Sequence, residues 1–263
     1  MNLKELSIAT FNLYNLNEPG RAIYTDTDGW NQTEHDLKIA WTARQLTVLK
    51  SDVFGFQELW HAASLSKALN AAGIANEYDL LTPPDANGGK INCAAIVRKG
   101  LLSGEPEWIS AFPDKFVLQT SGDDPQTPAI DVNIRGFSRP VLHFTIKPRT
   151  NVPDVHVYVC HFKSKGPTKV QTEPWFKADK TSYSKHATAL GAALSTIRRT
   201  AEAAALRFLL SEQIKGNDTP VIVLGDINDG QHSNTQNILT EQPKYLVGDS
   251  VGGGDVALYT VQT

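Results

Sequence analysis

Long apolar runs are missing from this 263-residue chain. None reaches the roughly 20 residues a bilayer-spanning helix needs, and no amphipathic or apolar membrane-binding segment stands out, so no stable membrane association is expected. The opening, MNLKELSIATFNL, has no long apolar stretch behind a basic start. No secretory leader is read there, and a cytoplasmic location is expected, or a secreted one if a leader was removed ahead of Met1. Cysteine is scarce: Cys93 and Cys160 both sit in apolar, strand-like runs, which points to buried thiols rather than a disulfide framework. Strong net charge is absent as well, with 25 Lys and Arg against 28 Asp and Glu. A net charge of −3 provides no global positive field to coat nucleic acid, but it leaves room for an enzyme that meets phosphate at one local site. No fixed-period repeat and no linker divide the chain, so one domain over residues 1–263 is expected, as a monomer.

What is present is an ordinary soluble composition, 41% apolar and 20% charged, with interleaved strand and helix signals. Runs rich in β-branched and aromatic residues predict strands at Leu6–Phe11, Val53–Phe56, Tyr78–Leu81, Ile91–Val97, Ile130–Ile134, Val141–Ile146, Val155–Phe162 and Val221–Leu224. A further one is read at Val256–Val261. Helical spacing covers Leu37–Lys50, residues 60–72 with Gly73 as C-cap, and Ala187–Ile214. Residues 17–36 and 163–185 read as loops, and 103–128 as turn-rich. Strands outnumber helices, which predicts a layered α/β or α+β domain with helices outside sheets.

Four predicted strands end in polar groups. Asn12 follows LSIATF, Gln57 and Glu58 follow VFGF, His161 follows VYVC, and Asp226 and Asn228 follow VIVLG. Buried strands deliver rigid positions, so groups at their ends can form one preorganised site. In PVIVLGDINDG, Gly225 allows close backbone approach, and Asp226 and Asn228, two apart on an extended segment, would face the same side. Glu58 is a hard oxygen ligand suited to Mg²⁺, Asn12 and Asn228 can bond phosphate or metal-bound water, His161 can donate to a phosphoryl oxygen, and Asp226 can activate water. Each residue also has a plainer reading: Asn12 as a turn residue, Glu58 as a cap for the helix near residue 60, His161 as a structural histidine, and the Gly-Asp pair as a turn.

The blocks TFNLYN, FGFQELW, CHFKSKG and LGDINDG, in that order, resemble the signature segments of the endonuclease/exonuclease/phosphatase superfamily, which includes deoxyribonucleases, abasic-site endonucleases, sphingomyelinases and inositol-polyphosphate phosphatases. The resemblance implies an α/β fold, a four-layer sandwich of two mixed β-sheets packed face to face with helices outside. It implies hydrolysis of a phosphoester with a divalent metal, Mg²⁺ or else Mn²⁺ or Ca²⁺. It assigns Glu58 and Asn12 to the metal, transition-state stabilisation to His161, water activation to Asp226, and phosphate to Asn228. GFSRPVLHF resembles the strand block whose arginine reaches phosphate, which makes Arg139 a candidate; a surface arginine in a loop is the alternative.

One block of the family pattern does not appear. The family closes on an Asp-His pair in a final strand, and nothing after Asn228 matches it; His232 comes too early, and Asp249 and Asp255 have no following His. The expectation is a chain without its last strands, an open sheet edge and a site without that histidine. For the substrate, residues 161–186 carry six lysines against Glu173 and Asp179, interleaved with Trp175, Phe176 and Tyr183. Such a segment suits a polyanion with stackable bases, with Lys163 and Trp175 as contacts; a solvated loop whose aromatics pack on the core is the alternative. HFKSKG with GDIND is more similar to bacterial nucleases than to inositol phosphatases, so nucleic acid is the expected substrate. A phosphatase or sphingomyelinase-like phosphodiesterase, and a non-catalytic phosphate-binding module, are the alternatives.

Overall fold

The run Val53–Phe56 is wholly buried, yet consecutive side chains on a strand leave by opposite faces. Val53 packs with Cys93, Ala95, Val97, Leu142, Phe144 and Val157. Phe54 and Phe56 pack the other way, with Ile39, Leu46, Leu65 and Leu69. A strand covered on both faces reads as a continuous apolar run, which is why the sequence shows no alternation there.

The computed structural model describes residues 3–24, 27–123, 125–241 and 257–261. Strands β1 (Ile8–Leu16), β2 (Val53–His61), β3 (Tyr78–Leu81) and β4 (Asn87–Arg98) form one sheet in the order β1-β2-β4-β3. There β1 and β2 run parallel, while β4 is antiparallel to β2 and β3. Strands β5 (Leu102–Ala111), β6 (Gly136–Ile146), β7 (Val155–His161) and β8 (Val221–Asp226) form the other, in sequence order. In it β6 and β7 are antiparallel and β7 and β8 parallel. Both sheets are mixed, and one cluster drawn from β2, β3, β4, β6, β7 and β8 packs them face to face. Gly55 lies in that interface, where a Cβ would come within 3.0 Å of both Leu224 and Val159. Helices α1 (Gln32–Leu49) and α2 (Ala62–Ala71) cover the outer face of the first sheet through Ile39, Leu46, Leu65 and Leu69. The architecture is the expected α/β sandwich.

The chain divides into two compact units: Met1–Ser110 with Arg139–His161 and Asn217–Asp226, and Ala111–Ser138 with Phe162–Gly216 and Ile227–Thr263. The second unit contains α3 (Pro174–Ala178), α4 (Lys180–Tyr183), α5 (Ala187–Ile214) and α6 (Asn234–Thr240). On α5, the fully buried Glu202 carboxylate accepts hydrogen bonds from the backbone and hydroxyl of Ser138 and from the backbone N–H of Lys163. Arg199, on the same helix, meets Asp229 at 3.4 Å.

Several elements differ from the sequence reading. Helix α1 starts at Gln32 rather than Leu37, because Asn31 and Glu34 form a reciprocal capping box that satisfies the first turn. Leu102–Ala111 is a strand, although Gly104 and Pro106 mark it as a turn; it lies at a sheet edge, where a proline costs no ladder bond. Ile130–Ile134 has the composition of a strand but contributes only one isolated bridge, Asp131 to Gln119. Residues 163–185 are not a plain loop, since they fold into α3, α4 and short 3₁₀ turns. Residues 257–260 form no strand, and Val256 lies outside the described residues, as do Asp249 and Asp255. Both cysteines are buried and neither forms a disulfide.

His143 of β6 stacks on Tyr158, ring centres 4.4 Å apart, and its Nε2 lies 2.9 Å from Nδ1 of His156. Burial, then the neighbouring His156, push the His143 pKa from 6.5 down to about 4. The fold therefore favours the neutral ring. That stability is complete above pH 6.5 and is lost as the pH falls through about 4, amounting to on the order of 2–3 kcal/mol. A denaturant series should show His143→Phe losing less stability than wild type between pH 6.5 and 4. Parallel curves would contradict the stacking argument.

Candidate active site at the strand ends

His161 and Asp226 close β7 and β8 as expected, but Asn12 and Glu58 lie inside their strands, since β1 runs on to Leu16 and β2 to His61. In the first sheet Asn12 of β1 pairs with Gln57 of β2, one residue before Glu58. In the second, His161 of β7 pairs directly with Asp226 of β8. The Asn12 side-chain amide joins the two sheets, donating to Glu58 Oε1 and to Asp226 Oδ2, each at 3.2 Å. His161 Nε2 is 4.0 Å from the same Glu58 oxygen. Residues 12, 58, 161 and 226 are thus gathered at one end of the sandwich, within one compact unit.

The backbone is strained where it matters. Between Asn12 and Leu16 the β1 register slips against β2, so that Leu13, Tyr14 and Asn15 stand opposite Glu58 alone. Tyr14, Asn15 and Glu58 have φ of 48°, 57° and 60°, values that residues other than glycine seldom adopt. The turn is held by its own hydrogen bonds: Tyr14 N–H to Asn12 Oδ1 at 2.8 Å, Asn15 N–H to Glu58 Oε2 at 3.0 Å, Trp30 Nε1 to the Asn15 carbonyl at 2.7 Å, and Trp60 Nε1 to Asn15 Oδ1 at 3.0 Å. Such strain persists only where surrounding contacts over-determine it, and it concentrates at functional sites. Glu58 does not cap α2; His61 does, accepting the Ala63 N–H.

Gly225 is required by close approach, and the approach comes from the protein itself. A Cβ there would fall 2.0 Å from the carbonyl oxygen of Cys160, at φ 144°. Arg139 lies in β6 rather than in a loop, and its positive charge reaches both His161 and Tyr24. Burial first, then Arg139, lower the His161 pKa to about 4, against the opposing pull of Asp226. Lys38 is lowered by burial, with Glu58 opposing. Its ammonium sits 5.1 Å from the Tyr14 ring centre and 5.0 Å from that of Trp30.

The donor set suits a hard cation. Two ionised carboxylates that share one amide repel each other, and a cation between them would offset that repulsion. His161 Nδ1 is buried without a hydrogen-bond partner. Among the described residues no cluster of three or more His, Cys, Asp or Glu side chains forms. Mg²⁺ takes one or two carboxylates and keeps several waters, and a pair of carboxylates could supply that share.

Asn228 departs from the reading. It is not extended: its φ is 53°, so the rule that residues two apart share a side does not hold. It belongs to the second unit, where its amide donates to the Phe162 carbonyl at 2.9 Å. Lys163 and Trp175 belong to that unit too. Lys163 gives its backbone N–H to Glu202. Trp175, 40% exposed, packs edge-on against Tyr183 and Phe176, while Phe176 is buried. The sequence reading passed over Tyr14, Asn15, Trp30 and Lys38. Tyr14 and Asn15 lie inside TFNLYN, so their place beside Asn12 was the available signal.

No protein-family model matches the chain, and no curated protein matches it. Solved structures do. An endonuclease/exonuclease/phosphatase family protein from Bacteroides thetaiotaomicron is 15% identical with a TM-score of 0.52, the match covering 90% of this chain and 69% of that one. A mannosyl-6-phosphatase from the same species is 15% identical at 0.52, covering 91% and 71%. The catalytic domain of human Nocturnin, with a bound sulfate anion, is 14% identical at 0.51, covering 93% and 75%. Likeness at this identity is likeness of fold, and the fold of this chain is the one carried by the endonuclease/exonuclease/phosphatase family.

Proposed function

We propose that the protein is a divalent-metal-dependent phosphodiesterase that hydrolyses nucleic-acid phosphodiester bonds. The observation that carries this is the Asn12 amide holding the Glu58 and Asp226 carboxylates together at 3.2 Å each, beside a buried imidazole. Asp226 accepts a proton from the attacking water. The water oxygen bonds to phosphorus as the ester P–O bond breaks, and the leaving oxygen takes a proton from solvent. His161 donates to the phosphoryl oxygen as charge grows on it, and Arg139 adds positive charge nearby. Glu58 and Asn12 would hold Mg²⁺, or Mn²⁺ or Ca²⁺ in its place, and the bound charge would supply Lewis-acid stabilisation of the phosphate.

Two features support the phosphoester reading: fold neighbours that include a mannosyl-6-phosphatase and a domain with a bound sulfate, and the TFNLYN, FGFQELW, CHFKSKG and LGDINDG blocks. Nucleic acid is favoured by the six lysines of residues 161–186 with Trp175, Phe176 and Tyr183 among them and by the aromatic turn next to Glu58. Incubating the protein with plasmid, single-stranded DNA, RNA, a sugar phosphate and sphingomyelin, with Mg²⁺ and with EDTA, tests the proposal. Mg²⁺-dependent cleavage of nucleic acid is expected. Cleavage of lipid or sugar phosphate alone would remove the nuclease reading, and no cleavage with any metal would favour a binding module.

A further inference from the structure

We propose that Tyr14, backed by Lys38 and Trp30, is a stacking platform for the base of a nucleotide adjoining the scissile phosphodiester. The inference rests on the phosphodiesterase reading of the neighbouring carboxylates, and it assigns a substrate contact on the side of the site that the sequence left unassigned.

Tyr14 is an unusual residue for its position. A large aromatic at φ 48° is disfavoured relative to glycine or asparagine. Its ring gains no burial in return, being 66% exposed. Yet its backbone is fixed on both sides to the residues that define the site: its own N–H bonds Asn12, and the next N–H bonds Glu58. Two indole N–H groups, from Trp30 and Trp60, anchor Asn15 behind it. An exposed ring on a rigid, strained turn, two residues from the amide that joins the carboxylates, is preorganised to meet a ligand.

The chemistry of the platform selects the ligand. Tyr14 and Trp30 lie 6.1 Å apart, centre to centre, and tilted by 54°. The Lys38 ammonium sits about equally far from both rings and is half-buried. A flat aromatic face with a cation beside it matches a nucleotide, whose base has a π-face and whose phosphate is anionic. An acyl chain would gain nothing from the lysine. Because every base has a π-face, the platform gives preference for a base over no base, with little discrimination among bases.

The test compares short single-stranded DNA and RNA oligonucleotides with the same strands carrying abasic residues. Turnover is measured with Mg²⁺, and binding is measured in EDTA by fluorescence anisotropy of labelled strands. Wild type should favour the base-bearing strands by about tenfold or more. Tyr14→Ala should collapse that ratio in both readouts, chiefly through KM rather than kcat. Tyr14→Trp should keep it. Tyr14→Gly, which also relaxes the backbone, should behave as Tyr14→Ala and guards against a folding artefact. An unchanged ratio in Tyr14→Ala and Tyr14→Gly, or no base preference in wild type, overturns the platform. If wild type cleaves nothing, the hydrolytic reading fails on its own, and the binding ratios in EDTA still decide for or against stacking.

Discussion

Asp226→Asn is expected to lower Mg²⁺-dependent phosphodiester turnover by about 10²–10⁴-fold, the usual worth of a positioned general base. Asparagine keeps the shape and can still accept from the Asn12 amide, so the melting temperature should stay close to wild type. The loss should appear in kcat, because substrate phosphate still meets His161 and Arg139. Glu58→Gln should act differently. It removes the charge that Asn12 and the Asn15 backbone hold in place, so the metal concentration for half-maximal activity should rise at least about tenfold. Near-wild-type rates in both variants would refute the assigned roles, because the two carboxylates are the only acidic groups joined by Asn12 among its described hydrogen bonds.

Gly225→Ala should have the largest effect on stability. The added Cβ falls 2.0 Å from the Cys160 carbonyl and 2.9 Å from that residue's backbone nitrogen and carbon. Nothing in that contact is a flexible side chain. Strand β8 would have to separate from β7, and φ 144° adds strain of its own. The expected loss is on the order of 3 kcal/mol, read from the denaturant midpoint. Since Asp226 is the next residue and pairs with His161, activity should fall as well. Gly216→Ala is the control: it shares a positive φ, 74°, but has nothing within 4 Å, so only the conformational cost of about 1 kcal/mol remains. Equal losses in the two variants would contradict the close-approach argument.

The buried strands were legible in the sequence because burial on both faces leaves apolar runs, unbroken in Val53–Phe56 and interrupted only by His156 and His161 in Val155–Phe162. The polar residues that interrupt or follow those runs were legible too, at Asn12, Glu58, His161 and Asp226, although β1 and β2 continue past Asn12 and Glu58 and His161 is itself buried. Features set by distant contacts were not. The turn at Tyr14 and Asn15 depends on the Glu58 carboxylate, 43 residues away from Asn15 along the chain, and no local propensity announces a tyrosine at positive φ. Leu102–Ala111 was hidden by Pro106, which only an edge position tolerates. Asn228 was misread because the same-side rule assumes extended backbone, and the chain leaves that conformation directly after Asp226. Trp175 drew attention by its basic surroundings, whereas Tyr14, in a segment already singled out for Asn12, did not.

These differences shift attention within the candidate site. The basic segment after His161 folds into short helices with its own aromatic cluster. The exposed ring whose backbone is bonded to the site residues comes instead from the β1 turn. The four grouped side chains present two carboxylates, an amide and an imidazole together, with the Tyr14 and Asn15 backbone N–H groups bonded to Asn12 and Glu58. On the proposed reading, the two carboxylates among them would take a small, hard, doubly charged ion.

Mn²⁺ binding followed by electron paramagnetic resonance, in which only the free ion gives the sharp six-line signal, tests that assignment without relying on turnover. One Mn²⁺ should be taken up per chain by the wild-type protein, be displaced by Mg²⁺, and be held at least about tenfold more weakly by Glu58→Gln. A wild-type protein that leaves the free-ion signal undiminished, or a Glu58→Gln variant that titrates like wild type, would contradict the account.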